Sequence, residues 1–317
     1  MNHPTPIDLP SLTARFAIPG RLRFMEIAPG LPVIDIATPL ATARVALQGA
    51  QVLAWRPDGM PPVLWLSGAA VFEPGKAVRG GIPVCWPWFG DRPGHSAHGF
   101  VRTRLWELRE TSLDTAGQVH VRLGLQDDDA TRALWDHAFD LELHLTVGTT
   151  LSLLLTTRNT GAHPFTLSEA LHTYFSVGNI RQTTVRGLDG THFLDKVQGY
   201  APAQQSGPVH FTGETDRVYL NTTADCVIDD ADQSRSITVA KTGSHSTVVW
   251  NPWAEREKAM GDMAAGGYQR MVCVETANAG AQAITVAPRE SHALGTVVSV
   301  AAYEKLTRGP AQDPRPR

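Results

Sequence analysis

Residues 119–125 read VHVRLGL and residues 141–147 read LELHLTV. In the first, Val119, Val121, Leu123 and Leu125 alternate with His120, Arg122 and Gly124. In the second, Leu141, Leu143, Leu145 and Val147 alternate with Glu142, His144 and Thr146. Neighbouring side chains on a strand point to opposite faces, so a period of two marks a half-buried antiparallel strand. Working outward, strand patterns recur at residues 151–157, 166–176, 236–240, 247–250, 271–275, 283–286 and 294–300, with shorter ones at 33–37, 43–47 and 63–66. Turn signals such as Asn159-Thr160-Gly161, Asp189-Gly190 and Asn278-Ala279-Gly280 separate them. Helical patterning is confined to residues 130–135 and to 254–263, the latter starting after Pro252. Many strands with few helices predict an all-β chain, built as a large sandwich or closed double sheet.

Length alone allows two domains in 317 residues, but large β-sandwiches reach this size as one. With no internal repeat and no mid-chain linker, a single domain over residues 21–307 is expected. An extended segment at 1–20 precedes it and a disordered, proline-bearing tail at 308–317 follows. The 28 Lys and Arg against 31 Asp and Glu give a net charge of −3, which excludes the electrostatic footprint of a nucleic-acid binder. No run of 18 apolar residues asks for a membrane, and the N-terminal stretch lacks the plan of a signal peptide. Cys85, Cys226 and Cys273 are an odd, scattered set, which fits a reducing cytoplasmic setting. Cys85 and Cys273 lie in apolar runs and read as small core residues.

Residues 79–106, RGGIPVCWPWFGDRPGHSAHGFVRTRLW, are too broken by glycine and proline for a helix and too aromatic for a solvated linker. They place Arg79, His98 and Arg102 beside Trp86, Trp88 and Trp106. Cations next to flat apolar surfaces suit an anionic sugar. As isolated residues, Arg79 and Arg102 could equally be surface cations in weak ion pairs. His98 could cap a turn or donate to the same anion. His172, in LSEALHTYF, reads by itself as a histidine satisfied inside a sheet. Glu275 closes an apolar run in MVCVETAN; held in a cleft, desolvation would raise it toward general-base range. Asp216, in TDRVYL, could bond a ligand or a cation on an adjacent strand. The WNPW at 250–253 reads as a structural corner. Dinucleotide, P-loop, zinc-protease and nucleophile-elbow motifs are missing from the sequence. His95 and His98 lack a third ligand, so no metal is expected.

AVRGGIPVCWPWFG, AHGFVRTRLW, LSEALHTYF, TDRVYL, VVWNPW with MGDM, and MVCVETAN follow one another between about residues 70 and 280. In this order they resemble the aldose 1-epimerase (galactose mutarotase-like) superfamily, closest to its hexose-6-phosphate branch. The resemblance implies a β-supersandwich of antiparallel strands. It also implies mutarotation of a hexose 6-phosphate, foremost D-glucose 6-phosphate, without metal or cofactor. By motif position it implies that His172 is the general acid and Glu275 the general base, that Arg79 and Arg102 grip phosphate, and that Asp216 adds a substrate contact. A position often occupied by glutamine is Ala97 here, so one substrate hydrogen bond must come from elsewhere. Within this reading the tryptophans support the cleft rather than perform the reaction. The alternatives are an aldose 1-epimerase for neutral sugars and a non-catalytic sugar-binding module. The partner expected is a small phosphosugar, with the chain a monomer.

Overall fold

The strictly alternating strands pack as their pattern requires. In the computed structural model, which describes residues 8–302, Val119, Val121, Leu123, Leu141, Leu143, Leu145 and Val147 are all fully buried. Strands Val119–Gln126, Phe139–Val147 and Leu151–Asn159 pair antiparallel, with Leu143 opposite both Leu123 and Leu155. Burying each such side chain contributes roughly 1.5–3 kcal/mol, so the inward face of this ladder alone specifies its register.

These strands belong to a nine-stranded sheet that runs from Val209–His210 at one edge to Glu107–Leu113 at the other. An eight-stranded sheet lies against it, with Thr215–Leu220, Ser246–Asn251, Met271–Asn278 and Glu169–Leu171 as successive neighbours. A four-stranded meander, Leu22–Ala28, Leu31–Ala37, Ala41–Ala46 and Gln51–Pro57, adds a third layer. A continuous cluster of buried side chains extends from Leu22 to Val298 and draws on all three sheets. The expected all-β supersandwich with few helices is therefore the observed architecture.

Several local expectations need correction. Residues 1–20 do not form an extended segment throughout, because Leu9–Phe16 is an α-helix. Asp8 accepts a hydrogen bond from the Ser11 amide, Pro10 suits the first turn, and Leu12 and Phe16 pack on the core. Residues 63–66 make only single bridges, from Leu64 to Phe175 and from Leu66 to Gly80. The two helices shrink to Asp129–Arg132 and Trp253–Lys258. Residues 166–176 split into Phe165–Leu167, Glu169–Leu171 and Tyr174–Ser176, because the segment pairs with different partners along its length. The tail at 308–317 lies outside the described residues.

Candidate active site

That split creates the site. The strand breaks at His172 and Thr173: the His172 amide donates to Pro83 O at 3.0 Å, and the Thr173 amide turns back to Leu171 O at 2.9 Å. His172 thereby leaves the sheet's regular ladder and lines a cleft of about 530 Å³. Glu275, on the adjacent strand Met271–Asn278, enters the same cleft, and His172 Nε2 lies 3.4 Å from Glu275 Oε1. Both side chains are at least nine-tenths buried. His172 Nδ1 and Glu275 Oε2 have no hydrogen-bond partner. Beneath the imidazole, Tyr174 stacks at 4.8 Å and 11°, while Trp250 and His98 meet its edges. The ring is held in place while its outer atoms stay uncommitted.

Electrostatics push the pair in opposite directions. Burial raises Glu275 well above the ordinary carboxylate value; Asp216 adds to the rise and Lys196 opposes it. Burial lowers His172 well below the usual imidazole value, reinforced by His98, Arg79 and Arg102. The pair is coupled, and both shifts favour the uncharged forms, a protonated carboxyl and a neutral imidazole.

Arg79, His98, Arg102, His172, Asp216 and Glu275, scattered over nearly two hundred positions, all line this one cleft. Their situations differ. Arg79 donates through Nε to Asp262 at 3.1 Å and through Nη1 to the Tyr174 hydroxyl at 2.9 Å. It therefore braces the aromatic platform under His172 as well as adding charge. Arg102 donates to the Ala97 carbonyl at 2.7 Å and has no acidic side chain bonded to it. Ala97 lines the cleft and offers no side-chain hydrogen-bonding group there. His98 has φ of 64°, and its Nδ1 accepts the Gly90 amide at 3.3 Å, leaving the proton on Nε2. Burial, with Arg102, Lys196 and Arg79, pushes His98 down to about 3, so it can donate only as a neutral imidazole. The turn depends on Gly99, where φ is 76° and a Cβ would collide with the Trp86 carbonyl.

Asp216 pairs with Lys196 at 2.8 Å, yet burial still raises its carboxyl above the ordinary value. Lys196, Tyr200 and Arg256 also line the cleft and were not singled out from sequence, while Trp250, read there as part of a structural corner, lines it as well. Lys196 sits in LDKVQGY, which carries no periodicity or motif to mark it. Trp86 and Trp106 are fully buried in the core, and their indole N–H groups donate to Thr157 and to the Val101 carbonyl. Residue Asn251 of the WNPW corner is buried and donates to the carbonyls of Tyr268 and Met271. A larger depression, about 710 Å³, lies on the four-stranded meander; its Arg23–Asp35–Arg44 ion pairs are already matched, so the chemistry belongs to the smaller cleft.

Comparison with known proteins places this geometry. The aldose 1-epimerase family profile matches residues 32–299. Proteins of Salmonella typhimurium and Escherichia coli, both provisionally named glucose-6-phosphate 1-epimerase, are each 41% identical over 78% of this chain, covering 83% and 84% of their own lengths. A crystal structure from Salmonella typhimurium, provisionally described as a mutarotase, superposes with a TM-score of 0.85 at 36% identity, covering 93% of this chain and 99% of that one. A galactose mutarotase-like protein from Clostridium acetobutylicum shares the fold at 14% identity, with a TM-score of 0.69 over 89% of this chain and 98% of its own.

Proposed function

The chain belongs to the aldose 1-epimerase family, and from that premise we propose that it interconverts the α and β anomers of a hexose 6-phosphate, foremost D-glucose 6-phosphate. The observation that carries the reading is the His172–Glu275 contact at 3.4 Å, buried in a cleft that also presents Arg79, Arg102, Lys196 and Arg256.

Mutarotation needs two proton transfers and no redox step. Glu275 takes the proton of the anomeric hydroxyl while His172 protonates the ring oxygen, and the C1–O5 bond breaks to give the open aldehyde. Rotation about C1–C2 exposes the other face, and closure runs the transfers in reverse. Burial favours a protonated Glu275 and a neutral His172, the reverse of what the reaction needs. A phosphate dianion resolves this, because it offsets Arg79 and Arg102, two of the charges that depress His172. The proton then moves toward the imidazole as substrate binds.

Arg102 is the better-placed phosphate ligand, since Arg79 already serves Asp262 and Tyr174. A guanidinium fork matches phosphate oxygens, and such charge-assisted bonds are about twice as strong as neutral ones. Asp216 and neutral His98 then serve the sugar hydroxyls. The continuous core from Leu22 to Val298 supports the described part of residues 21–307 as one working unit, acting as a monomer. No helix among the described residues is long and apolar enough to cross a membrane. The three cysteines are free and buried, which fits the proposed reducing, cytoplasmic setting. The test is NMR exchange spectroscopy between the anomers of glucose 6-phosphate, glucose and galactose on one enzyme sample. Faster exchange for glucose 6-phosphate than for either free sugar is expected. Equal rates would remove the phosphate assignment, and exchange no faster than in buffer would leave a sugar-binding module.

A further inference from the structure

Cys273 is two residues before Glu275 on the same strand, so both side chains point to one face. It is fully buried under the cleft floor and free. One ligand atom from each of His172, Cys273 and Glu275 lies within 4.8 Å of the others. Proton transfer uses the imidazole and the carboxylate and leaves the thiol without a part. We propose that these three side chains form a latent site for a thiophilic divalent cation, Zn²⁺ in particular, and that its occupation switches the enzyme off. The proposal rests on the catalytic reading of His172 and Glu275, to which it adds a mode of regulation.

The geometry supports a three-ligand tetrahedral site with one open position. Zinc takes nitrogen and oxygen ligands at roughly 2.1 Å and sulfur at roughly 2.3 Å, which sets such ligand atoms roughly 3.4–3.6 Å apart. The His172–Glu275 separation of 3.4 Å already has that value. Cys273 needs only a side-chain adjustment of about 1 Å to complete the set.

Charge points the same way. A dication with one thiolate, one carboxylate and a neutral imidazole is neutral overall, which a buried site tolerates far better than a bare ion. Two of the surrounding cations are matched locally, Arg79 by Asp262 at 3.1 Å and Lys196 by Asp216 at 2.8 Å. On binding, Cys273 gives up its thiol proton and Glu275 any carboxyl proton it holds, both to solvent, so each ligand meets the cation through a lone pair. Zinc then occupies the atoms that carry the reaction, so it excludes turnover.

The test uses the purified full-length chain with Zn²⁺ and Co²⁺ alone. Calorimetry is expected to show one Zn²⁺ bound per chain, and Co²⁺ to give the near-ultraviolet band of a cobalt–thiolate bond. Zn²⁺ should suppress anomer exchange, with recovery on adding a chelator. Cys273→Ala should keep exchange in metal-free buffer, lose the cobalt band and need at least about tenfold more Zn²⁺ for inhibition, the scale that even outer-shell changes produce. Cys273→Ser, nearly isosteric, serves if the alanine variant does not fold. A wild-type chain without the cobalt band, or a Cys273 variant as sensitive to Zn²⁺ as wild type, overturns the proposal. Because band and calorimetry need no turnover, a chain that binds metal but lacks exchange activity refutes the catalytic reading alone.

Discussion

Two histidine–carboxylate pairs, each with a fully buried carboxylate, flank one stretch of the eight-stranded sheet, and of the two His172–Glu275 faces the cleft. His172 and Glu275 meet at 3.4 Å above the cleft floor. Glu169 and His292 meet at 2.9 Å, joining the eight-stranded sheet to the strand Ser291–Ala302 of the nine-stranded one. Asn278, which pairs opposite Glu169, follows Glu275 by three residues on one strand. An odd offset on a pleated strand reverses the face. The same residue types therefore serve catalysis on one side and joining of the sheets on the other. Their surroundings differ as well. Asn278 donates to Glu169 Oε1 at 3.0 Å and so restrains the second pair, whereas no side-chain amide among the described residues bonds Glu275; each carboxylate keeps one oxygen, Oε2, without a partner among those residues. Residue type does not distinguish a working pair from a structural one; what it faces and how firmly it is held do.

The comparison is broken most sharply at the cleft. Glu275→Gln or His172→Gln should each lower anomer exchange by roughly 10²–10⁴-fold, the usual contribution of a positioned acid or base. The double variant should be little worse than the poorer single one, since the two act as a unit; NMR exchange spectroscopy reads both. On the other face, Glu169→Ala should cost about 3 kcal/mol of stability by orphaning His292, measured by urea unfolding. Exchange per folded molecule should stay close to wild type, and a loss as deep as that of Glu275→Gln would erase the distinction between the pairs.

A smaller effect is expected from Arg102→Ala. A hydrogen bond to a charged group contributes about 1.5–3 kcal/mol, so kcat/KM for glucose 6-phosphate should fall roughly 10–100-fold while exchange of free glucose changes little. Arg79→Ala should weaken both catalysis and folding, because Tyr174 and Asp262 lose their partner. The smallest signal is a pH slope. Burial raises Glu275 above its unfolded value of 4.5, so above that pH the folded chain retains a proton that the unfolded chain has released. Stability from this group therefore declines as pH rises from 4.5 toward the folded value. Glu275→Gln should flatten that part of the Tm-against-pH curve, measured by thermal unfolding at a series of pH values.

The patterned strands were legible because burying one face imposes a two-residue period that any reader can count. Strands such as His192–Asp195 and Thr183–Arg186 were not, being four residues long and of mixed polarity. The helix at Leu9–Phe16 was hidden by its prolines and was recoverable only from its Asp8 cap. His172 and Glu275 stood out through their motifs and their likeness to a family. Lys196 had no such signal and enters the cleft only because Asp216, twenty positions later, pairs with it across adjacent elements.

By itself the sequence determined the all-β class, the inward faces of the long strands and the family, because local periodicity and short motifs are properties of neighbouring residues. Only the tertiary structure decided that Arg79 braces Tyr174, that His98 is neutral, that Cys273 lies under the catalytic pair and that Glu169 faces away from it. Those facts depend on distances between segments up to about two hundred residues apart, and on the burial that their packing creates, neither of which is encoded within any single stretch of the chain.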